Sequence, residues 1–309
     1  MADKPSILCV LGPTGTGKTA AAIAVSKRLP GSVINFDSRQ IYRDFPIITA
    51  QPDDGEQAAC PHLMYGFLET SEKMNAARFV DMAHGAIAEV LSRNRLPMLV
   101  GGTGLYLRSL LQGIAPIPEI PGEIRAAVLS RLKDEGPQAL HRELTEVDPD
   151  YAARIHPNDS QRNARAAEVY AATGKTMTWW HSEEHYKTPY RYLKVGMKIP
   201  LDDLTPKLAA RIDVMLEHEA LQEARAAYAK CPDPEAPGWT GIGCAELLAY
   251  IRREMSLAEA KEKWVKNTRA YAKRQMTWFK KEKDIEWFAP GDNEAIALRV
   301  EQWLAEGGC

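Results

Sequence analysis

The stretch Ile7-Leu8-Cys9-Val10-Leu11-Gly12-Pro13-Thr14-Gly15-Thr16-Gly17-Lys18-Thr19 decides how the rest of the chain is read. An apolar run of strand length leads into Gly-x-x-x-x-Gly-Lys-Thr, and an alanine-rich helical segment follows to Leu29. Strand, glycine-rich loop and helix in that order form a phosphate-binding loop. The glycines let the backbone curl until several N–H groups point inward at an anion. The helix behind them adds the positive end of its dipole. Gly12, Thr14, Gly15, Thr16 and Gly17 make the cradle, Lys18 supplies a full charge, and Thr19 offers a hydroxyl suited to Mg²⁺. Such a loop recognises polyphosphate, whatever is attached to it.

A chain of 309 residues suffices for one large domain or two modest ones. Its net charge of −2 provides no global basic field, so any contact with nucleic acid needs a local patch. Met1-Ala2-Asp3-Lys4-Pro5 carries no signal-peptide core, and no apolar run reaches membrane-spanning length. The expectation is a cytoplasmic protein with no membrane contact. Cys9, Cys60, Cys231, Cys244 and Cys309 are scattered without a C-x-x-C pair. That argues against a zinc site or a disulfide framework and fits a reducing compartment. No internal repeat is present.

Ser32 to Phe36 reads as a second buried strand, running into Asp37-Ser38-Arg39-Gln40-Ile41-Tyr42. Ligands of open parallel sheets sit beyond the carboxyl ends of the strands, so Asp37 should face the phosphate loop. The plainer alternative makes it a helix N-cap. His62 to Phe67 reads as a short strand, with His62 a structural hydrogen-bonder, and Asn75 to Arg93 has helical periodicity. Leu96 to Val100 is the next strand and ends in Gly101-Gly102-Thr103-Gly104-Leu105-Tyr106. Most phosphate-loop NTPases carry an acid after such a strand to hold magnesium and position water. Glycine stands there instead, which counts against simple NTP hydrolysis. Paired glycines permit close approach to a ligand, with Thr103 presenting a hydroxyl; alternatively this is a plain turn with Thr103 as N-cap.

Gly113 to Gly122, with three prolines, reads as a linker, and Glu123 to about Thr188 as helical and more polar. A helix starts at Asn158-Asp159-Ser160-Gln161-Arg162-Asn163-Ala164-Arg165, and an aromatic segment runs from Trp179-Trp180-His181 through His185-Tyr186. Arg162 and Arg165 share a helical face that could grip phosphate or simply meet solvent. Arg191 to Ile199 reads as a strand again. Thr205 to Lys230 reads as one long helix with Arg211 between Leu208 and Ile212, and Gly238 to Gly243 as a tight turn. From Ser256 as N-cap a last helix should run to about Lys283. Between Lys261 and Lys283 nine Lys or Arg stand against two Glu, a local charge of +7. Such an excess is the footprint of nucleic-acid binding. Trp264, Tyr271 and Trp278 recur every seven residues and read as a core stripe. The whole order predicts an α/β fold, a P-loop NTPase-like parallel sheet flanked by helices. Residues 1–112 and 191–309 would form its core, and 113–190 a mostly helical insertion.

Together these motifs resemble one family, the tRNA dimethylallyltransferases, which prenylate an adenosine beside the anticodon. The resemblance spans nearly the whole chain. Besides the phosphate loop it rests on Asp37-Ser38-x-Gln40-x-Tyr42, Thr49-Ala50-x-Pro52 and Val100-Gly101-Gly102-Thr103-Gly104-Leu105-Tyr106. It continues through Asn158-Asp159-Ser160-Gln161-Arg162, Glu168-Val169-Tyr170, Gly241-Ile242-Gly243 and the run from Thr268 to Phe279. Three departures stand out. Gln51 replaces a usual Lys, Cys244-Ala245 a usual Tyr-Lys, and Lys207 the first of two frequent arginines, of which Arg211 keeps the second.

The resemblance implies an enzyme that takes dimethylallyl diphosphate and tRNA. Its loop, with Lys18, Arg211 and Mg²⁺ on Thr19, would hold the diphosphate. Asp37 would act as base toward the adenine N6 amine, and Thr103 would contact the nucleophile side. Asp37, Ser38, Arg39, Gln40, Thr103, Arg125, Gln161, Arg162, Asn163, Ala164 and Arg165 would hold the RNA. The insertion would clasp one side of the anticodon stem-loop and the basic helix the other. A monomer is expected. The rival readings are a P-loop kinase of a small metabolite, a prenyltransferase acting on free adenine nucleotide, and a non-enzymatic RNA-binding module.

Overall fold

The computed structural model describes residues 4–183 and 186–307. His185, in the aromatic segment, and Cys309 lie outside the described residues. The N-terminal part alternates buried strands with helices: β1 (Ser6–Leu11), α1 (Lys18–Ser26), β2 (Gly31–Asn35), α2 (Asp54–Ala59), β3 (His62–Leu63), α3 (Ala76–Ser92), β4 (Leu96–Gly101) and α4 (Gly104–Gln112). Five helices follow: α5 (Gly122–Glu135), α6 (Pro137–Val147), α7 (Pro149–Ala152), α8 (Ser160–Thr173) and α9 (Met177–Ser182). β5 (Arg191–Met197) returns to the sheet, followed by α10 (Leu201–Glu217), α11 (Ala220–Lys230) and a 3₁₀ turn at Pro237–Thr240. Then come α12 (Cys244–Ile251), α13 (Leu257–Phe279), β6 (Ile285–Phe288) and α14 (Asn293–Ala305). Met1–Leu111 with Thr188–Cys309 make one unit and Gln112–Lys187 another.

In the first unit the strand order is β3-β2-β4-β1-β5-β6, and every pairing is parallel. β1 is central, with Val10 opposite Val100 on one side and Val195 on the other. Alternation along a strand sends side chains to both faces, and here both faces are covered, so the strands read as continuous apolar runs. Ile7, Cys9, Leu11 and Leu99 meet α3 and α4 through Phe79, Ile87 and Leu110. Leu8, Val10, Met98 and Val195 meet α1 and α14 through Ala22, Val25, Val300 and Trp303. A third apolar cluster joins the loop carrying Ile41, Phe45 and Ile48 to α11, α12 and α13 through Ala224, Leu247 and Trp264. A six-stranded parallel sheet flanked by helices, with the glycine loop after its first strand, is the phosphate-loop NTPase arrangement.

Three local expectations are corrected. The strand expected over His62 to Phe67 stops at Leu63, because Met64 and Gly66 turn the chain at φ 65° and 54°. The helix expected over Thr205 to Lys230 is two helices, broken where Glu219 takes φ 70°. The break lets α10 press Leu204 and Leu208 against Ala272, while Ala220, Ala224 and Ala227 of α11 pack around Trp239. The last helix ends at Phe279 rather than Lys283. Phe279 enters the sheet's core, and Glu282 turns inward to Arg108 at 2.7 Å and Lys194 at 3.9 Å. Beyond it β6 adds an edge strand and α14 covers β5.

The second unit is all helical. Asp159 caps α8 by accepting from the Arg162 N–H. Ala164 packs with Val128 and Leu140, and Ala166 and Val169 with Leu144 and Ile155. The buried Asp148 accepts from the Tyr151 and Thr178 N–H groups and so ties α7 to α9. Among the described residues no helix is long and apolar enough to cross a membrane.

Candidate functional site

Between β1 and α1 the chain passes through positive φ at Gly12, Gly15 and Gly17. The first of these turns is closed by packing as well, since a Cβ on Gly12 would sit 2.6 Å from the Met197 carbonyl oxygen. A Cβ on Gly15 would sit 2.7 Å from a Leu208 methyl, which is how close α10 comes to the loop. The Lys18 ammonium donates to the Gly12 and Pro13 carbonyls at 3.0 and 2.9 Å. Burial lowers its pKa to about 8, with Asp37 opposing that shift and Arg211 adding to it. The Arg211 guanidinium is also lowered by burial, against the pull of Glu56 and Asp37. Arg211 makes no hydrogen bond among the described residues, and neither cation there has a salt bridge. Two desolvated positive charges without carboxylate partners leave an anion site half-made.

That site is a cavity of about 280 Å³ lined by Gly15, Gly17, Lys18, Thr19, Gln40, Glu56 and Arg211. A second cavity of about 220 Å³ is lined by Ile48, Leu208, Ile212, Met215, Ile242, Trp264, Tyr271 and Arg274. Thr14, Asp37, Thr49, Ala50 and Arg211 line both, so the cavities adjoin. Gly12 and Thr16, expected in the cradle, line neither. Thr16 is buried and its hydroxyl donates to the Pro13 carbonyl, and the Thr14 N–H is held by Gln275 Oε1 at 3.0 Å. Thr19 lines the cavity of about 280 Å³ with no side-chain hydrogen bond among the described residues. A free hydroxyl there fits Mg²⁺, which keeps several waters and shares phosphate oxygens with one or two protein ligands. No group of three His, Cys, Asp or Glu among the described residues could cage a metal.

Asp37 leaves the end of β2 in an Asx turn. Its N–H donates to Asn35 Oδ1 at 2.8 Å, and its Oδ1 accepts from the Arg39 N–H at 2.9 Å. Oδ2 has no hydrogen-bond partner among the described residues. The Thr103 hydroxyl oxygen accepts from the Ser38 N–H at 2.9 Å, donates to Ser38 Oγ at 3.2 Å, and meets the Tyr271 hydroxyl. Thr103 thus binds the neighbouring loop instead of capping α4. Burial raises the Tyr271 phenol, with Asp37 reinforcing the shift, so it remains a donor. Arg39 donates to Thr240 Oγ1 at 2.9 Å, and the Gln40 amide donates to the Thr49 and Ala50 carbonyls. Gln51 likewise turns into its own loop, to the Tyr42 carbonyl at 2.8 Å.

The glycines at and after the end of β4 are required by protein packing, and Gly101 lines the cationic cavity as well. A Cβ on Gly101 would sit 2.6 Å from the Phe36 carbonyl carbon, Gly102 faces the Gln275 amide, and Gly104 faces the Trp278 ring. Gln275 links the two loops, since its Nε2 donates to the Gly102 carbonyl at 3.0 Å. Trp278 is held in turn by Arg108 4.1 Å above its ring. The aromatic stripe of α13 therefore divides. Trp278 packs, Trp264 both packs in the third cluster and lines the apolar cavity, and Tyr271 lines the cavity without joining a core cluster. Sequence reasoning missed Tyr271, Gln275, Arg274 and Glu56. A glutamine on the apolar stripe of an otherwise basic helix was the available signal. Lys263, Lys266, Lys273, Lys280 and Lys281 of the basic patch are exposed, and among the described residues they have no ion pair.

In the second unit, Gln161, Arg162 and Arg125 are exposed and Arg165 is half-exposed. Arg125 and Arg165 both approach the buried Glu168 carboxylate, at 3.9 and 3.4 Å. Asn163 and Ala164, expected among the RNA contacts, are buried. The Asn163 amide donates to the His156 and Pro157 carbonyls, and its oxygen meets His141 Nδ1 at 3.0 Å.

Two family models match the chain, one described as IPP transferase over residues 40–282 and one as isopentenyl transferase over residues 5–60. A tRNA dimethylallyltransferase of Maridesulfovibrio salexigens is 56% identical over 306 residues, covering 99% of this chain and 100% of the relative. One from Nitratidesulfovibrio vulgaris is 54% identical over 305 residues, covering 99% of each. Among solved structures, the full-length tRNA isopentenylpyrophosphate transferase of Bacillus halodurans superposes with a TM-score of 0.72 at 32% identity, covering 98% of this chain and 97% of its own. A eukaryotic dimethylallyltransferase acting on tRNA gives a TM-score of 0.84 at 29% identity, covering 98% and 80%.

Proposed function

Because the chain belongs to the IPP transferase family of tRNA dimethylallyltransferases, we propose that it moves a dimethylallyl group from dimethylallyl diphosphate to N6 of the adenosine beside the anticodon in tRNA. The observation that carries this reading is the pair of adjoining cavities, one cationic and one largely apolar, with Asp37 in the wall common to both. The diphosphate occupies the cationic cavity. Loop N–H groups, Lys18 and Arg211 neutralise the charge that grows on it as the allylic C–O bond breaks. Thr19 would hold Mg²⁺, which supplies further neutralisation of the leaving diphosphate when bound.

The acceptor base is flipped out of the anticodon loop, at a few kcal/mol repaid by pocket contacts. As the N6–C bond forms, the N–H becomes acidic and its proton passes to Asp37. The unpartnered Oδ2 supports that role, and general-base help of this kind contributes about 10²–10⁴ in rate. Thr103 orients the amine, and the Tyr271 hydroxyl beside it supports that reading. No water-activating acid is required, consistent with glycine after β4. Arg125, Gln161, Arg162 and Arg165, with the exposed lysines of α13, bind RNA phosphates, which makes binding salt-dependent. The protein acts as a monomer in the cytoplasm; its exposed large apolar side chains, such as Leu105, Leu129, Val214 and Leu298, are spread along the chain. The test is transfer of radiolabelled dimethylallyl groups with tRNA, AMP or no acceptor, with magnesium present. Label in tRNA alone is expected. Label in AMP, or ATP consumption without transfer, would overturn the reading.

A further inference from the structure

Part of the wall common to the two cavities is a single helical turn. Thr49 N–H donates to the Phe45 carbonyl, Ala50 N–H to Ile47 and Gln51 N–H to Pro46. The turn presents Ile48 to the apolar cavity, and Thr49 and Ala50 to both. Two features make it costly to form. The first donors of a helical turn have no partner within it, which here means the Ile47 and Ile48 N–H groups. Ala50 also holds φ 53°, a conformation in which a Cβ is strained.

Both costs are met from outside the turn. Glu223, half-buried on α11, accepts from Ile47 N–H with Oε2 at 2.7 Å and from Ile48 N–H with Oε1 at 2.9 Å. Gln40 donates to the carbonyls at the other end. Glu223 lines neither cavity and touches nothing that reacts. Both its oxygens are taken by main-chain N–H groups of a segment 175 residues away, and the neighbouring Asp44 has its own partners in Lys230 and Thr70. We propose that Glu223 is a positioning residue for the donor site: its carboxylate clamps the Ile47–Ala50 turn in the one conformation that walls the diphosphate cavity. The identity of the donor rests on the proposed function; the clamp itself does not.

The test compares Glu223→Gln, Ala50→Gly and the double variant in the full chain, titrated with inorganic pyrophosphate and assayed with dimethylallyl diphosphate and tRNA. A glutamine can accept only one of the two N–H groups and sets its own NH₂ against the other. The closed turn then becomes a minor population, and apparent affinity falls by the same factor. One unmade hydrogen bond predicts about a tenfold weaker pyrophosphate Kd in Glu223→Gln, with the KM for dimethylallyl diphosphate rising in parallel. The tRNA Kd and the far-ultraviolet circular dichroism should stay at wild-type values. Glycine at position 50 removes the strain, so the double variant should recover most of the pyrophosphate affinity. Unchanged pyrophosphate affinity and KM in Glu223→Gln would overturn the proposal. So would losses that track a fall in helicity and tRNA binding and that Ala50→Gly does not relieve. If wild type transfers nothing to tRNA yet Glu223→Gln still weakens pyrophosphate, the proposed function fails while the clamp stands.

Discussion

Gln275 is the side chain whose replacement has the most calculable consequence. Its amide bridges the Thr14 N–H and the Gly102 carbonyl, each at 3.0 Å, and it is buried. Gln275→Leu fills a similar volume but leaves one donor and one acceptor unmade. Each such group costs about 1–3 kcal/mol when shielded from water, so about 2–6 kcal/mol in all. That is a large part of the roughly 5–15 kcal/mol by which proteins are stable. At about 2–4 °C per kcal/mol, the melting temperature should fall by at least about 4 °C. Gln275→Glu separates the two bonds. Its carboxylate can still accept from Thr14 but sets an oxygen against the Gly102 carbonyl. Protonation restores a donor, so the folded-state pKa of the new acid is raised. The stability this contributes is present at low pH and is lost as pH rises through that raised pKa. Thermal scans at pH 5 and pH 8, relative to wild type at each pH, read this directly. The Gln275→Glu deficit should shrink at pH 5 while that of Gln275→Leu does not. A Gln275→Leu melting temperature within about 1 °C of wild type, less than a 1 kcal/mol loss would give, would refute the bridging argument.

Three further outcomes are expected. Arg211→Met removes a desolvated cation that has no partner among the described residues, so melting temperature should hold or rise. Dimethylallyl diphosphate affinity, read by calorimetry, should fall about 10–150-fold, as loss of a hydrogen bond to a charged group implies. Lys18, lowered by burial to about 8, is charged below that pH and loses its charge above it. Affinity for dimethylallyl diphosphate should therefore decline between pH 7.5 and 9.5, a range in which a phosphate of second pKa about 6 no longer titrates. Asn163→Ala should destabilise the helical unit by about 1–3 kcal/mol in denaturant unfolding, because it strips partners from two carbonyls and His141. At temperatures where the variant is folded, its tRNA affinity should match wild type.

The phosphate loop, the parallel sheet and the helical stretch from Glu123 to about Thr188 were legible because each depends on local pattern: apolar runs, glycine spacing, helical periodicity and the cap at Ser256. What was not legible depends on tertiary contact. Nothing in His218-Glu219 announces a helix break; the break lets α10 reach Ala272 through Leu204 and Leu208 while its later residue Ile212 joins the alanines of α11 around Trp239. The paired Gly101 and Gly102 read as room for a ligand; Gly101 does line the cationic cavity, but Gln275, about 170 residues later, fills the room at Gly102. Asp37 and Lys18 could be assigned from where their strand and loop end. Tyr271 could not, because a seven-residue aromatic repeat looks the same whether a ring is packed or lines a cavity. Thr14 and Thr16 show the limit of a motif: their loop position is right, but one N–H and one hydroxyl are held by the protein itself.

The most direct test of the account is Asp37→Asn. The asparagine oxygen can keep the bond from the Arg39 N–H, so the Asx turn survives while the charge and the base are lost. Single-turnover transfer from dimethylallyl diphosphate should be measured beside the binding of tRNA and of inorganic pyrophosphate. The account predicts both affinities close to wild type and a transfer rate lower by about 10²–10⁴. Transfer at the wild-type rate, or loss of both binding activities along with it, would contradict the assignment of Asp37 as the base.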